Sequence, residues 1–115
     1  MLCRVEDLAE DAARGFDVPG WRAKVIVVRK GGVVHGWRDL CPHYMGGTPM
    51  AWKRDAYLNG ARTHIACSAH GAWFDIETGV CVQGACLGKR LTRVPLRIDD
   101  QGAVHLDRPP REGRP

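Results

Sequence analysis

Two short Cys/His pairs, Cys41-Pro42-His43 and Cys67-Ser68-Ala69-His70, stand 23 residues apart in this chain, each followed by glycine. Thiolate and imidazole at such spacing usually share a metal site, and a structural site usually takes four ligands. Neither pair suffices alone. If all four side chains serve one site, the two loops that carry them must converge, which demands neighbouring strand ends from separate hairpins. Pro42 stiffens the first loop and Gly46 and Gly47 loosen it, while Gly71 opens the way out of the second.

The hydrophobic periodicity around the pairs is that of strands. "AKVIVVRKGGVVHGW" (23–37) predicts a strand, a turn at Lys30-Gly31-Gly32 and a returning strand. "RTHIAC" (62–67) and "AWFDIETGVCV" (72–82) predict further short strands, separated by the second Cys/His loop and a turn. "LTRVPLRIDDQGAVHL" (91–106) repeats the pattern around Asp99-Asp100-Gln101-Gly102. Only "VEDLAEDAAR" (5–14) suits a helical turn or two. Short, evenly spaced strands and 14 glycines imply an all-β chain, a small antiparallel β-sandwich or barrel. Residues 1–107 would form one domain, and the proline-rich tail 108–115 is expected to be disordered.

At 115 residues, 44% of them hydrophobic and 26% charged, the chain can bury a core without disulfide staples. The first 18 residues carry too many charges for a signal peptide, and the aliphatic run Val25–Val28 is far too short to span a bilayer. A cytoplasmic location without membrane attachment is expected. Five cysteines in that compartment point to metal binding or burial rather than a disulfide framework. Residues 21–66 hold eight basic and two acidic side chains, a net +6. These charges are scattered singly or in pairs, with no basic-aromatic motif, so nucleic acid is not the expected partner.

Two chemistries suit a Cys2His2 set. A zinc ion would take all four ligands tetrahedrally, making the chain a structural or interaction module. The single residue between Cys41 and His43 is awkward for chelating one ion. A two-iron, two-sulfide cluster removes the crowding, because the thiolates bind one iron and the imidazoles the other.

The sequence resembles the Rieske iron–sulfur family. The residues that carry the resemblance are "CPH" (41–43) with "GGTPM" after it, "CSAHGAWF" (67–74), "TGVC" (78–81) and "GACLGKRL" (84–91). The resemblance implies a stack of small antiparallel sheets with a cluster-binding subdomain, its loops at about 41–50 and 67–74. It implies one [2Fe-2S] cluster, with Cys41 and Cys67 on the buried iron and His43 and His70 on the outer one. Gly46 and Ala69 stand where high-potential members of the family carry an extra disulfide. Ala72 and Phe74 stand where those members carry a serine and a tyrosine that bond the cluster sulfurs. "WKRDAYLNG" (52–60) reads as an insertion between the ligand halves, and Gly84-Ala85-Cys86 replaces the usual Gly-Pro lid.

Cys3, Cys81 and Cys86 remain, and buried thiols are expected for them, although Cys81 and Cys86 are close enough to be bridged. His35, His64 and His105 read as packing or surface residues, and Trp21, Trp37, Trp52 and Trp73 as core or hairpin residues, with Trp73 placed to shield the cluster. No motif suggests substrate turnover. The mononuclear iron site of Rieske-type oxygenases needs a further catalytic domain. The expected role is a one-electron carrier, a soluble Rieske-type ferredoxin. It would take electrons from a flavin-dependent reductase and pass them to a terminal oxygenase or similar redox enzyme, with Tyr44 and Met45 on the docking rim. A small redox subunit of a larger complex, or the zinc module, are the alternatives.

The scattered charges suit a solvated mixed-charge surface; the alternative is a docking face for an acidic protein partner, and weak encounters of that kind are steered by charge. Electron transfer to such a partner should therefore slow as ionic strength rises. Stopped-flow rates that stay constant between low and physiological salt would rule out charge steering.

Overall fold

In the computed structural model, residues 2–21, 24–39, 57–59, 61–67, 72–84 and 87–107 are described. Their order is β1 (Cys3–Arg4), a 3-10 turn (Val5–Asp7), β2 (Ala12–Phe16), β3 (Val25–Lys30), β4 (Val33–Arg38), β5 (His64–Cys67), β6 (Ala72–Asp75), β7 (Cys81–Gln83), β8 (Leu96–Ile98) and β9 (Ala103–Leu106). They form three antiparallel three-stranded sheets, ordered β2-β3-β4, β5-β6-β7 and β1-β9-β8. This is the small all-β architecture that the strand periodicity predicts.

Strand β3 lies at the centre, and its sequence explains why. Val25, Ile26, Val27 and Val28 are all fully buried, a continuous apolar run of the kind that a strand covered on both faces requires. Because side chains alternate, Val25 and Val27 enter a core with Cys3, Leu8, Val94 and Val104. Ile26 and Val28 enter a second core with Trp37, Tyr57, Ile65, Cys67, Ala72, Phe74, Ile76, Cys81 and Leu91. Truncating any of the four to alanine would cost about 1–5 kcal/mol in lost burial and residual cavity.

The β3-β4 turn follows the predicted chemistry. Gly31 and Gly32 both have positive φ (60° and 77°), as a two-residue turn matched to strand twist needs. Their amides donate to the Glu10 carboxylate, through Oε2 from Gly31 and at 3.0 Å to Oε1 from Gly32. That contact ties the turn to the segment entering β2. Here the helical expectation for residues 5–14 gives way. Only Val5–Asp7 form a 3-10 turn, Asp11 takes φ 59°, and Ala12–Arg14 pair with Val27–Arg29 in β3. Long-range pairing outweighs the local preference of "EDAAR", because Ala13 packs against the second core.

Trp37 joins two sheets. Its ring is buried, its indole N–H donates to the Ile76 carbonyl at 3.0 Å, and the Arg93 guanidinium lies 4.4 Å from its ring centroid. Cys81 keeps a free thiol, which donates to the Gln83 carbonyl at 3.2 Å, and Cys3 is likewise buried and unbridged. Trp52, Cys86 and the tail 108–115 lie outside the described residues. No helix among the described residues is long and apolar enough to cross a membrane.

Asp99 organises the β8-β9 turn. Its Oδ1 accepts from the amides of Gln101 and Ala103, both at 2.9 Å, and its Oδ2 accepts from His105 Nε2 at 2.9 Å. The His105 bond, with those two amides, holds the carboxyl down at about 2, against an ordinary 3.8. A depressed carboxyl pKa gives stability that is complete above the ordinary value and is lost as pH falls through the folded one. In Asp99→Asn, unfolding stability should therefore fall less steeply between about pH 4 and pH 2. Urea titrations followed by far-UV circular dichroism at several pH values would check it.

Candidate metal centre

Cys67 is the last residue of β5 and Ala72 the first of β6, and the two face one another across the ladder. Sheet alternation sets the environment. Ile65 and Cys67 on β5, with Phe74 and Ala72 opposite them, form one row, and all four are buried. Ala66 and Trp73 alternate to the other face and are half-buried, as are His64 and Asp75. Trp73 stacks there on His64, with centroids 5.5 Å apart and an interplanar angle of 22°. Cys67 thus ends β5 within the second core, three residues before His70 in sequence.

The first pair is approached from β4. Asp39 follows that strand, is buried, and donates its amide to the Lys24 carbonyl at 2.9 Å. Cys41 comes two residues later. Cys41, His43 and His70, together with Tyr44 and Met45, lie outside the described residues.

What links the two approaches is Tyr57, which is buried within the stretch read as an insertion. Its hydroxyl donates to Asp39 Oδ2 at 3.2 Å, and its carbonyl accepts from the Ala66 amide at 2.8 Å. One side chain and its own carbonyl therefore touch the residue two before Cys41 and the residue before Cys67. Leu58 forms an antiparallel bridge with Ile65, and Asn59 closes the connection. Its Oδ1 accepts from the Thr63 and His64 amides at 2.8 and 3.2 Å.

This arrangement fits a cluster held by two Cys/His loops. The segments leading to the two pairs are joined through Tyr57, and the one described ligand candidate is a buried thiol at the end of β5. A buried thiolate needs compensating positive charge, which ligated iron supplies. Ala72 and Phe74 are buried beside it and bring no side-chain donor. Among the described residues, no group of three or more His, Cys, Asp or Glu could hold a metal ion elsewhere. His105 is paired with Asp99, and His64 with Trp73 and the Thr63 hydroxyl at 2.8 Å. Burial, with the nearby Arg93, pushes the His35 pKa down. His35 is half-buried on β4. Asp39 and Tyr57 escaped the sequence reading, because no local pattern marks a tyrosine that reaches across 18 residues.

The described sheets are small and antiparallel, and in sequence the first Cys/His pair follows β4 while the second lies between β5 and β6, an order that suits an iron–sulfur domain. The Rieske [2Fe-2S] domain family matches residues 1–97, so the chain belongs to that family and binds one [2Fe-2S] cluster. Apoptosis-inducing factor 3 of Mus musculus and of Homo sapiens are each 35% identical over 80 residues, covering 68% of this chain but 11% of theirs. The chain thus matches only a small part of those relatives. A Sphingomonas yanoikuyae B1 ferredoxin superposes with a TM-score of 0.72 at 28% identity, covering 94% of this chain and 96% of its own. The ferredoxin of carbazole 1,9a-dioxygenase from Nocardioides aromaticivorans IC177 shares the fold, with a TM-score of 0.66 at 23% identity over 87% and 88% of the two chains.

Replacing Cys41, His43, Cys67 or His70 by alanine should abolish or greatly weaken cluster assembly, whereas His35→Ala, His64→Ala and His105→Ala should keep their iron. Iron and acid-labile sulfide assays on the purified variants decide it. Cluster loss in His64→Ala with retention in His43→Ala would reverse the ligand assignment.

Proposed function

We propose that this chain is a one-electron carrier of the Rieske ferredoxin type, not itself an enzyme, in which Cys41 and Cys67 hold the inner iron and His43 and His70 the outer one. The observation that carries this reading is the match along 96% of a ferredoxin's own length, together with a buried Cys67 at the mouth of the second loop. Residues 1–107 form the working domain. Electrons arrive from a flavin-dependent reductase and leave for a terminal oxygenase or a similar redox enzyme in the cytoplasm. A solved complex of oxygenase and ferredoxin in carbazole 1,9a-dioxygenase supports that kind of partner.

The cluster supplies the reversible uptake of one electron. The chain's contribution is the environment. Cys67, Ala72 and Phe74 keep water from the inner side, which holds down the energy spent on solvent reorganisation when charge moves. His43 and His70 would hold the outer iron, and they would form the side from which a docked partner draws the electron.

A second reading has its own support, because the 35% identity to part of a much longer protein suits a Rieske module working inside a larger assembly. Size-exclusion chromatography of the natural protein from its own cells separates the two readings. A free carrier elutes as a single chain, and a module of an assembly elutes with its partners.

Two neutral imidazoles in place of thiolates raise Rieske potentials to roughly −150 to +300 mV, against about −400 mV for all-cysteine clusters. Hydrogen bonds to the sulfurs raise them further by stabilising the added electron. Without hydroxyls at Ala72 and Phe74, the potential should lie near the bottom, at about −150 mV. Protein-film voltammetry at neutral pH should show this, and Ala72→Ser with Phe74→Tyr should raise it. A wild-type value above about +100 mV refutes the low-potential assignment. Aerobically purified protein should be brown, with equal iron and acid-labile sulfide; a colourless zinc protein ends the carrier reading.

A further inference from the structure

The hydrogen bonds of Tyr57 point to a role that the ligands alone do not fill. Its hydroxyl reaches Asp39 from a buried position, and its carbonyl holds Ala66. Asp39 is itself fastened through its amide to Lys24, the residue before β3. The ring lies against β2, at Gly15. A Cβ built on Gly15 would fall on the Tyr57 hydroxyl, with the ring carbon that bears it 3.0 Å away. Gly15 in turn pairs with Ile26 of the central strand. Tyr57, from the connection between the ligand pairs, thus rests its ring on the central sheet, and its hydroxyl holds the approach to the first pair while its backbone carbonyl holds the approach to the second.

We propose that Tyr57 is a positioning residue that locks the two ligand-bearing loops in register, through Asp39 before Cys41 and Ala66 before Cys67, and so governs how firmly the chain retains its cluster. This rests on the assignment of Cys41, His43, Cys67 and His70 as ligands. A cluster held by two separate loops leaves when either loop swings away, so a contact that couples their roots acts on cluster retention before it acts on global stability. Gly15 belongs to the same device, because only a residue without Cβ leaves room for the hydroxyl to meet Asp39.

The test is the rate of cluster loss from the reconstituted holoprotein under an iron chelator, followed by visible circular dichroism, with the electron paramagnetic resonance spectrum of the dithionite-reduced sample as a second readout. Removing a buried hydrogen bond to a carboxyl group should speed loss by about tenfold or more in Tyr57→Phe and shift its g-values. Gly15→Ala, far in sequence from every ligand, should reproduce both effects. In the Tyr57→Phe background it should add little, because both changes break the same contact. Val104→Ala, in the other core, is the control: it should lower the melting temperature while leaving the rate and the g-values near those of the wild type.

Wild-type rates and g-values in both Tyr57→Phe and Gly15→Ala overturn the proposal, as does an acceleration no greater than that in Val104→Ala. If Tyr57→Phe does not fold, Gly15→Ala and the control decide it. Failure of the ligand assignment is visible separately, since Cys67→Ala would then retain its cluster whatever Tyr57→Phe does.

Discussion

The double burial of β3 is the constraint on which the other sheets depend. Four consecutive aliphatic residues with no exposed face need cover on both sides, and the chain supplies it from its two ends and its middle. β1, β8 and β9 close over Val25 and Val27, while β5, β6 and β7 close over Ile26 and Val28. Removing either cover would expose two large apolar side chains, at about 1.5–3 kcal/mol each. The sheet that carries Cys67 is therefore held in place by the same strand that organises the rest of the domain.

That dependence reaches the metal centre through a few polar contacts. Trp37 on β4 donates to Ile76 beyond β6, and Tyr57 bonds Asp39 and Ala66. Such bonds are directional and lie in apolar surroundings, where an unpaired polar group costs about 1–3 kcal/mol. They fix register where hydrophobic packing alone would allow sliding. Cys67 lies at the edge of the second core, and Tyr57 ties the segments before the two pairs, an arrangement that would suit a centre exchanging an electron with little rearrangement.

Membership of the Rieske [2Fe-2S] domain family is shared by chains of different organisation. Ferredoxins of this chain's own size superpose along nearly their whole length, while apoptosis-inducing factor 3 matches over only a small part of its own. Family membership accounts for the cluster and the fold. The partner is a matter of surface, and the described basic residues of the central stretch are largely engaged within the domain: Lys24, Arg29 and Lys30 pair with Asp17, Glu10 and Asp11, and Arg38 is buried.

Most of the strands and the candidate ligands were legible in the sequence, because their signals are local. A run of aliphatic residues and a Gly-Gly turn mark the β3-β4 hairpin within one short stretch of chain, and the paired Cys/His spacing points to a metal, with the family resemblance pointing to an iron–sulfur cluster. The sequence misled where a local preference met long-range pairing. "EDAAR" favours a helical turn, yet Ala12–Arg14 became part of β2, because β3 needed an antiparallel neighbour. It was silent on Tyr57, which read as part of an insertion. The partners of that residue lie 18 residues before it, nine after it and on a glycine of β2. Periodicity determined that this chain would form small sheets, and the two Cys/His pairs made a metal the expected ligand. Which buried side chain joins the two loops was decided only by tertiary structure, since such contacts exist only after β2, β4 and β5 have been brought together around one core.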